Sequence, residues 1–229
     1  GAGLLAGVAI AAKAQRPDIK IIAVEAAAAA SFTASLAAGK PVNAPVRPTL
    51  ADGLAVGRVG DRSFALAAPR VDHVLTVDEQ ALSLAVLRLL ELEKTSCEGA
   101  GAAALAALMG EAGQELKGRK VVLLLCGGNI DPTVLHRVID HGLAVDGRLW
   151  RFTATVSDRP GGMAKLTQVI ADAGASVLEI NHDRAFSGPE VFSTTVEVTV
   201  ETADHDHIQA LHERLHEADF GVISATACR

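Results

Sequence analysis

The sequence is poor in aromatic residues and carries no excess of basic ones. Only 3% of the 229 residues are aromatic, and the formal net charge is −6. The chain therefore has neither a stacking platform for bases nor a basic surface that would attract nucleic acid or an anionic membrane. We expect neither kind of partner.

Cysteine is also scarce. The three cysteines stand at positions 97, 126 and 228, and no CxxC pair occurs. An odd number of widely spaced cysteines argues against a disulfide scaffold or a zinc site and fits a reducing cytoplasm. Charged residues interrupt the apolar stretches before they could span a bilayer, and no signal peptide is recognisable. The chain opens at Gly1 rather than at Met, so we expect that an upstream segment has been removed.

The first 146 residues alternate short apolar runs with helical stretches rich in Ala and Leu. The apolar runs predict strands at 19–25, 73–77 and 120–126, and the stretches between them predict helices at 4–14, 31–38, 78–94 and 98–110. Strands that are apolar on both faces and alternate with helices predict an α/β fold, with a mostly parallel sheet and flanking helices. Residues 40–62, rich in proline and glycine, predict an irregular segment.

From residue 147 onward the pattern changes. The predicted strands alternate apolar and polar residues, which is typical of a sheet with one exposed face. The predicted order is strand 150–157, helix 162–174, strands 176–184 and 191–201, helix 204–218 and strand 221–227. This βαββαβ order is ferredoxin-like. We therefore predict two domains, 1–146 and 147–229.

Three short segments of the first part carry groups that could hold a ligand. Gly1-Ala2-Gly3-Leu4 precedes a helix whose free N–H groups would attract a phosphate, although such a turn is more often only a tight turn. Glu98 begins a helix, where its carboxylate could equally serve the helix dipole. Cys126 ends the third predicted strand and Gly127 follows it, at the edge where α/β sites lie, although a free cysteine is usually a small core residue.

The order of these segments, with 49–54 (TLADGL) between them, resembles the threonine dehydratase branch of the fold-type-II pyridoxal-phosphate enzymes. The resemblance covers residues 1–145. It implies pyridoxal 5'-phosphate as cofactor and a set of binding residues: Gly1, Ala2, Gly3 and Leu4 at the phosphate, Glu98 near the ring edge, and Cys126 with Gly127 at the pyridine nitrogen. A thiol leaves that nitrogen unprotonated, which favours β-elimination.

The implied activity is that of a threonine ammonia-lyase. Such an enzyme converts L-threonine, and secondarily L-serine, into 2-oxobutanoate-type products and ammonia, in isoleucine biosynthesis or threonine catabolism. L-Serine is expected as a second substrate because one methyl group gives little discrimination. A serine racemase or another hydroxy-amino-acid dehydratase is the nearest alternative.

Two departures from the family pattern matter. The lysine that carries the cofactor lies in a segment absent here, so we expect the chain alone to be incomplete. None of the lysines present stands in a comparable motif: Lys13, Lys20, Lys40, Lys94, Lys117, Lys120 and Lys165. The serine-racemase-like relatives bind a divalent cation through two carboxylates; Glu25 matches one, but Ser31 replaces the other, so we expect no metal site.

The segment 156–163 (VSDRPGGM) resembles the ACT domain motif, and 177–184 (VLEINHDR) extends the match. The resemblance implies that an amino-acid effector, isoleucine or valine, binds near Asp158, Arg159, Pro160, Gly161, Gly162 and Asn181. Asp158 and Arg159 could equally be a solvated turn pair, and many ACT units only dimerise, so we expect a homodimer or homotetramer. The rival hypothesis is an inactive fragment that only senses amino acids or dimerises. The histidine pairs 205/207 and 212/216 lack a third ligand, and no metal is expected there.

Overall fold

The computed structural model describes residues 1–183 and 193–226. The chain divides into two compact units, Gly1–Ile139 and Asp140–Arg229. The sequence places the division at residues 146 and 147, and that finer boundary stays a prediction. No helix in the described ranges is long and apolar enough to cross a membrane. Cys228 and Arg184, which the sequence analysis mentions, lie outside the described residues.

The first unit alternates helices with strands. Its elements are α1 (Gly3–Gln15), β1 (Ile22–Ala26), α2 (Ser31–Ala38), α3 (Asp61–Ala67), β2 (His73–Val77), α4 (Glu79–Leu92), α5 (Gly99–Met109), α6 (Glu111–Glu115) and α7 (Pro132–Val145), within which the boundary falls. Aspartate side chains cap the starts of α4 and α7. The Asp78 carboxylate accepts from Ala81 N at 2.8 Å, and the Asp131 carboxylate accepts from Thr133 N at 2.7 Å.

Strands β1 and β2 pair in parallel, from Ile22 opposite His73 to Ala26 opposite Val77. Because successive side chains of a strand point to opposite faces, neighbouring residues of β2 join different clusters. Leu75 packs with the cluster that contains Leu82, whereas Val74 packs with the cluster around Phe32. Both faces of the parallel pair are therefore covered, and the predicted α/β fold with flanking helices is confirmed.

The strand predicted at residues 120–126 is wrong. Residues 120–130 form neither a helix nor a paired strand. An apolar sequence becomes a paired strand only where a neighbour offers backbone hydrogen bonds, and the described strands of this unit pair only with each other. Val122 is consequently 86% exposed, and Leu124 is 46% exposed.

The second unit has the βαββαβ order that the sequence predicts. Its elements are β3 (Leu149–Ser157), α8 (Gly162–Asp172), β4 (Ser176–Asp183), β5 (Ser193–Glu201), α9 (His205–Glu217) and β6 (Gly221–Thr226). The described strands form an antiparallel sheet in the order β4-β5-β3-β6. Leu166 of α8 and Leu211 of α9 are fully buried in one cluster with Phe152 and Val198, so both helices cover the same face. The ferredoxin-like prediction is confirmed.

Candidate functional site

The start of α1 offers free backbone donors. Ala2 precedes the helix in the left-handed conformation, with φ 64° and ψ 15°, which is unusual for a residue with a side chain. Among the described residues no side chain caps this end, and its first turn contains no acidic residue. A Cβ added to Gly3 would meet nothing within 4 Å. An uncapped helix start with open space beside it suits a phosphate group.

Glu98 and the segment 126–128 meet at the start of α5. The backbone N–H of Glu98 donates to the Gly127 carbonyl at 3.2 Å, and the Cys97 thiol donates to the same oxygen at 3.2 Å. A Cβ on Gly127, whose φ is 112°, would lie 2.2 Å from Glu98 Oε1. The carboxylate can swing aside, so it is the positive φ that favours glycine at this position. The structure brings Glu98, Cys126 and Gly127 together.

Gly101 makes this arrangement possible from the helix side. A Cβ on Gly101 would lie 2.7 Å from Cys97 Sγ and 2.8 Å from the carbonyl oxygens of Cys126 and Gly127. Cys97 is buried, and burial raises its pKa, with smaller contributions from the charges of Glu98 and Cys126. Cys97 is thus a neutral thiol that donates a hydrogen bond. Cys126, in contrast, is exposed.

The segment 49–54 lies against the same helix start. The Leu50 carbonyl oxygen would be 2.5 Å from a Cβ on Gly99, and a Cβ on Gly53 would lie 3.8 Å from Glu98 Oε1. The Glu79 carboxylate accepts from Thr49 Oγ1 at 2.5 Å and from Leu50 N at 2.7 Å. The sequence predicts a role for 49–54 but not for Glu79, because no local pattern connects residue 79 with residue 49.

The predicted cofactor-binding residues fall into two groups. Glu98, Cys126 and Gly127 form the first, and residues 1–4 form the second. Gly1 packs against Val59, whose Cα would be 2.9 Å from a Cβ on Gly1. Within the described ranges no hydrogen bond joins one group to the other. Their joint role in binding a cofactor stays a prediction.

Lys13, Lys20 and Glu25 are engaged in other contacts. Lys13 and Lys20 contact the Asp72 carboxylate, at 3.0 and 3.1 Å. The Glu25 carboxylate accepts from Phe32 N at 2.7 Å and from Thr33 N and Thr33 Oγ1 at 2.8 Å each. Protein donors at the start of α2 therefore occupy both of its oxygens. In the part of the chain that the structure describes, no group of three or more His, Cys, Asp or Glu residues could hold a metal ion.

The turn between β3 and α8 is built on two glycines. Gly161 precedes α8 with φ 97°, and a Cβ on Gly162 would lie 2.0 Å from the Ser157 carbonyl oxygen. No larger residue fits at position 162 without moving the backbone. Asp158 Oδ1 lies 3.9 Å from Nε2 of His182 on β4, a residue that the sequence analysis missed. The turn at 158–162 and His182 therefore lie together.

Asn181 points away from His182. It pairs with Glu197 across the sheet, while His182 pairs with Val196, a fully buried core residue. Because side chains alternate along a strand, Asn181 stands on the open face, where its amide donates to Glu179 Oε1 at 3.2 Å. Strand alternation in the sequence would have predicted this separation.

Three of the histidines on or beside α9 have structural contacts. His205 Nε2 lies 3.0 Å from the Val145 carbonyl oxygen. His207 accepts from Ala203 N at Nδ1, at 3.0 Å, so its Nε2 carries the proton and donates to the Ala173 carbonyl at 2.8 Å. His212 contacts the Trp150 ring edge to face, with centroids 6.2 Å apart.

The chain is 37% identical over 215 residues to an L-threonine ammonia-lyase of Thermotoga maritima and 41% identical over 215 residues to one of Geobacter sulfurreducens. Each match covers 94% of this chain and 53% of the relative, so the chain spans about half the length of these proteins. The biosynthetic L-threonine dehydratase IlvA of Escherichia coli is 35% identical over 183 residues, which cover 80% of this chain and 35% of that protein.

The chain is also similar to solved structures. The structure of a T.th. threonine deaminase aligns with a TM-score of 0.53 and 41% identity, over 57% of this chain and 44% of that one. Maize serine racemase aligns with a TM-score of 0.55 and 36% identity, over 60% of this chain and 43% of that one. Residues 152–220 match the model of the ACT domain, and residues 1–127, more than half of the chain, match that of the family described as pyridoxal-phosphate dependent enzyme. The chain therefore belongs to the family of pyridoxal-phosphate-dependent enzymes and carries an ACT domain.

Proposed function

We propose that this chain supplies cofactor-binding and regulatory parts of an L-threonine ammonia-lyase. The enzyme would release ammonia from L-threonine, and secondarily from L-serine, leaving 2-oxobutanoate in the case of threonine. The observation that carries the proposal is the junction of Glu98 with Gly127, next to the exposed Cys126. Its similarity to two L-threonine ammonia-lyases over 94% of its length supports the same activity.

The cofactor fits the groups that these residues present. Pyridoxal phosphate, when bound, supplies an electron sink for removal of a proton from the amino acid. The free N–H groups at the start of α1 would hold its phosphate, the Cys126 thiol would meet its pyridine nitrogen, and Glu98 would lie near the ring. A thiol is too weak an acid to protonate that nitrogen, so the ring stays a moderate electron acceptor, which suits expulsion of the β-hydroxyl group.

A serine racemase is the second candidate, because the maize enzyme is 36% identical over the aligned region. Two observations favour the lyase. The Glu25 carboxylate is bound by the start of α2, and Ser31 stands where the relatives supply a second carboxylate. The ACT domain also points to regulation by an amino acid. A chain that only senses amino acids or dimerises through this domain is the remaining alternative.

The activity is best tested in a chimera. The part of the Geobacter sulfurreducens lyase that precedes its similarity to this chain would be joined to Gly1, and 2-oxobutanoate would be measured after addition of L-threonine. We expect cofactor binding and turnover. Cys126→Ala should lower kcat/KM about tenfold to a hundredfold, because it removes one hydrogen bond to the cofactor, whereas Cys126→Ser should retain most activity. Cys228→Ser is the control. A chimera that binds no cofactor, or an unchanged Cys126→Ala variant, would contradict the proposal.

The regulatory part of the proposal concerns the turn at 158–162. We propose that it binds isoleucine or valine through the free N–H groups at the start of α8, in a cytoplasmic homodimer or homotetramer. Gly162, pressed onto the Ser157 carbonyl, gives the turn a fixed shape. Titration calorimetry of the chain with isoleucine, valine and threonine tests this directly. If none gives heat, the domain is left with dimerisation alone, which sedimentation measures.

A further inference from the structure

We infer that Glu79 is a positioning residue for the candidate site. Its carboxylate holds the segment 49–54 against the start of α5 and thereby sets where the Glu98 carboxylate stands beside Gly127. The chemical meaning of this inference rests on the proposed function. Its structural part concerns only this chain and can be tested without cofactor.

The contact between Glu79 and the segment uses both carboxylate oxygens. Oε1 accepts from Thr49 Oγ1 at 2.5 Å, and Oε2 accepts from Leu50 N at 2.7 Å. The Thr49 hydroxyl oxygen in turn accepts from Ala51 N at 3.1 Å. The carboxylate offers one acceptor oxygen to each of these donors, whereas an amide offers one acceptor oxygen and an NH2 group. Because the acceptor is charged, these hydrogen bonds are of the stronger kind.

Glu79 is not needed as a helix cap. The residue before it, Asp78, is the N-cap of α4 and accepts from Ala81 N at 2.8 Å. An acidic residue in the first turn also interacts favourably with the helix dipole, but that effect needs no particular side-chain direction. The Glu79 carboxylate instead reaches a segment about thirty residues earlier in the chain.

The position of the segment 49–54 affects the start of α5 because the two are packed closely together. The Leu50 carbonyl oxygen would be 2.5 Å from a Cβ on Gly99, and a Cβ on Gly53 would lie 3.1 Å from the Ala100 methyl carbon. Ala51 between them is fully buried. If Leu50 N lost its acceptor, the segment would relax away from residues 98–100. Glu98 would then be free to shift relative to Gly127, to which its own N–H donates.

The test compares Glu79→Gln and Thr49→Val with Thr49→Ser, which keeps the hydroxyl group. Hydrogen exchange of residues 49–54 and 98–102 is measured by mass spectrometry on the 229-residue chain, and iodoacetamide labelling of Cys126 is followed by peptide mapping. We expect Glu79→Gln to speed exchange at Leu50 and Ala51 at least tenfold and to change the Cys126 labelling rate severalfold. Thr49→Val should act in the same direction, and Thr49→Ser should stay close to wild type.

Glu111→Gln is the matched control, because Glu111 is an exposed first-turn glutamate of α6. It should change neither readout. If Glu79→Gln affects only residues 49–54 and leaves α5 and Cys126 unchanged, the positioning role is refuted. In the chimera, Glu79→Gln should also shift the absorbance maximum of the bound cofactor. Altered exchange together with a chimera that binds no cofactor would refute the proposed function and leave the structural role of Glu79 intact.

Discussion

Replacing Gly101 by alanine would place a methyl group in the contact between α5 and the segment 126–127. The added carbon would lie 2.7 Å from Cys97 Sγ and 2.8 Å from two backbone carbonyl oxygens. The favourable separation of non-bonded carbon atoms begins at about 3.5 Å, so the neighbouring atoms would have to move away by about 0.7 Å. Two of the three neighbours are backbone atoms, which cannot rotate out of the way.

Three contributions determine how much Gly101→Ala lowers the free energy of unfolding. Overpacking of this kind costs about 1–3 kcal/mol. A weakened hydrogen bond to the Gly127 carbonyl adds about 1 kcal/mol, and the higher helix propensity of alanine returns about 1 kcal/mol. Gly7→Ala in α1 is the matched control, because a Cβ on Gly7 would meet nothing within 4 Å. It should gain about 0.5–1 kcal/mol, so the two variants should differ by about 1.5–4 kcal/mol.

Urea unfolding followed by far-ultraviolet circular dichroism measures both free energies of unfolding. Hydrogen exchange of α5 locates the loss, and faster labelling of Cys126 should accompany it in Gly101→Ala alone. A Gly101→Ala variant as stable as Gly7→Ala would refute the reasoning, because it would show that residues 126 and 127 are not held against α5.

Two further predictions concern hydrogen bonds that join distant parts of each unit. Asp72→Asn should lower stability at pH 7 by about 1–2 kcal/mol, and the exposed Asp18→Asn should change it by less than about 0.5 kcal/mol. Ile21 N and the Lys13 and Lys20 ammonium groups lower the pKa of the Asp72 carboxyl. The contribution of Asp72 to the free energy of unfolding is therefore complete above the ordinary carboxyl pKa of about 3.9 and is lost as the pH falls below that value. The urea midpoints of wild type and Asp72→Asn should converge as the pH falls through this range. His207→Ala should cost about 1–3 kcal/mol in urea unfolding followed by Trp150 emission, because Ala203 N and Ala173 O both lose a partner. His216→Ala, on the exposed side of α9, should be nearly neutral, and equal effects of the two substitutions would contradict the role of the His207 ring.

Elements whose hydrogen bonds close within the chain were predictable from the sequence. The predicted helix 31–38 and strand 73–77 agree with α2 and β2 residue for residue, and the βαββαβ order of the second unit is confirmed. The run at 120–126 has a stronger apolar signal than β2, yet it forms no described strand, because pairing depends on a neighbour rather than on composition. The short helix α3 was not predicted, since its seven residues carry little periodicity.

The candidate site was predictable only where the family pattern names its members. Segment order suggested that Glu98 and Gly127 meet, and the structure brings them together. Glu79 contacts Thr49, about thirty residues earlier, and His182 lies near Asp158, about twenty-four residues earlier. No local sequence pattern indicates such contacts. The close packing of Gly101 against residues 126 and 127 was also not predictable, because the sequence shows only that glycine is a weak helix former in an Ala-rich helix.

Residues 121–125 have a consequence for the behaviour of the chain in concentrated solution. They combine large apolar side chains with the absence of charge and proline, and Val122 is 86% exposed. An exposed segment of this composition can stack with copies of itself into intermolecular β-sheet. Arg119 and Lys120 stand immediately before it, and we expect the repulsion between their charges to oppose such stacking.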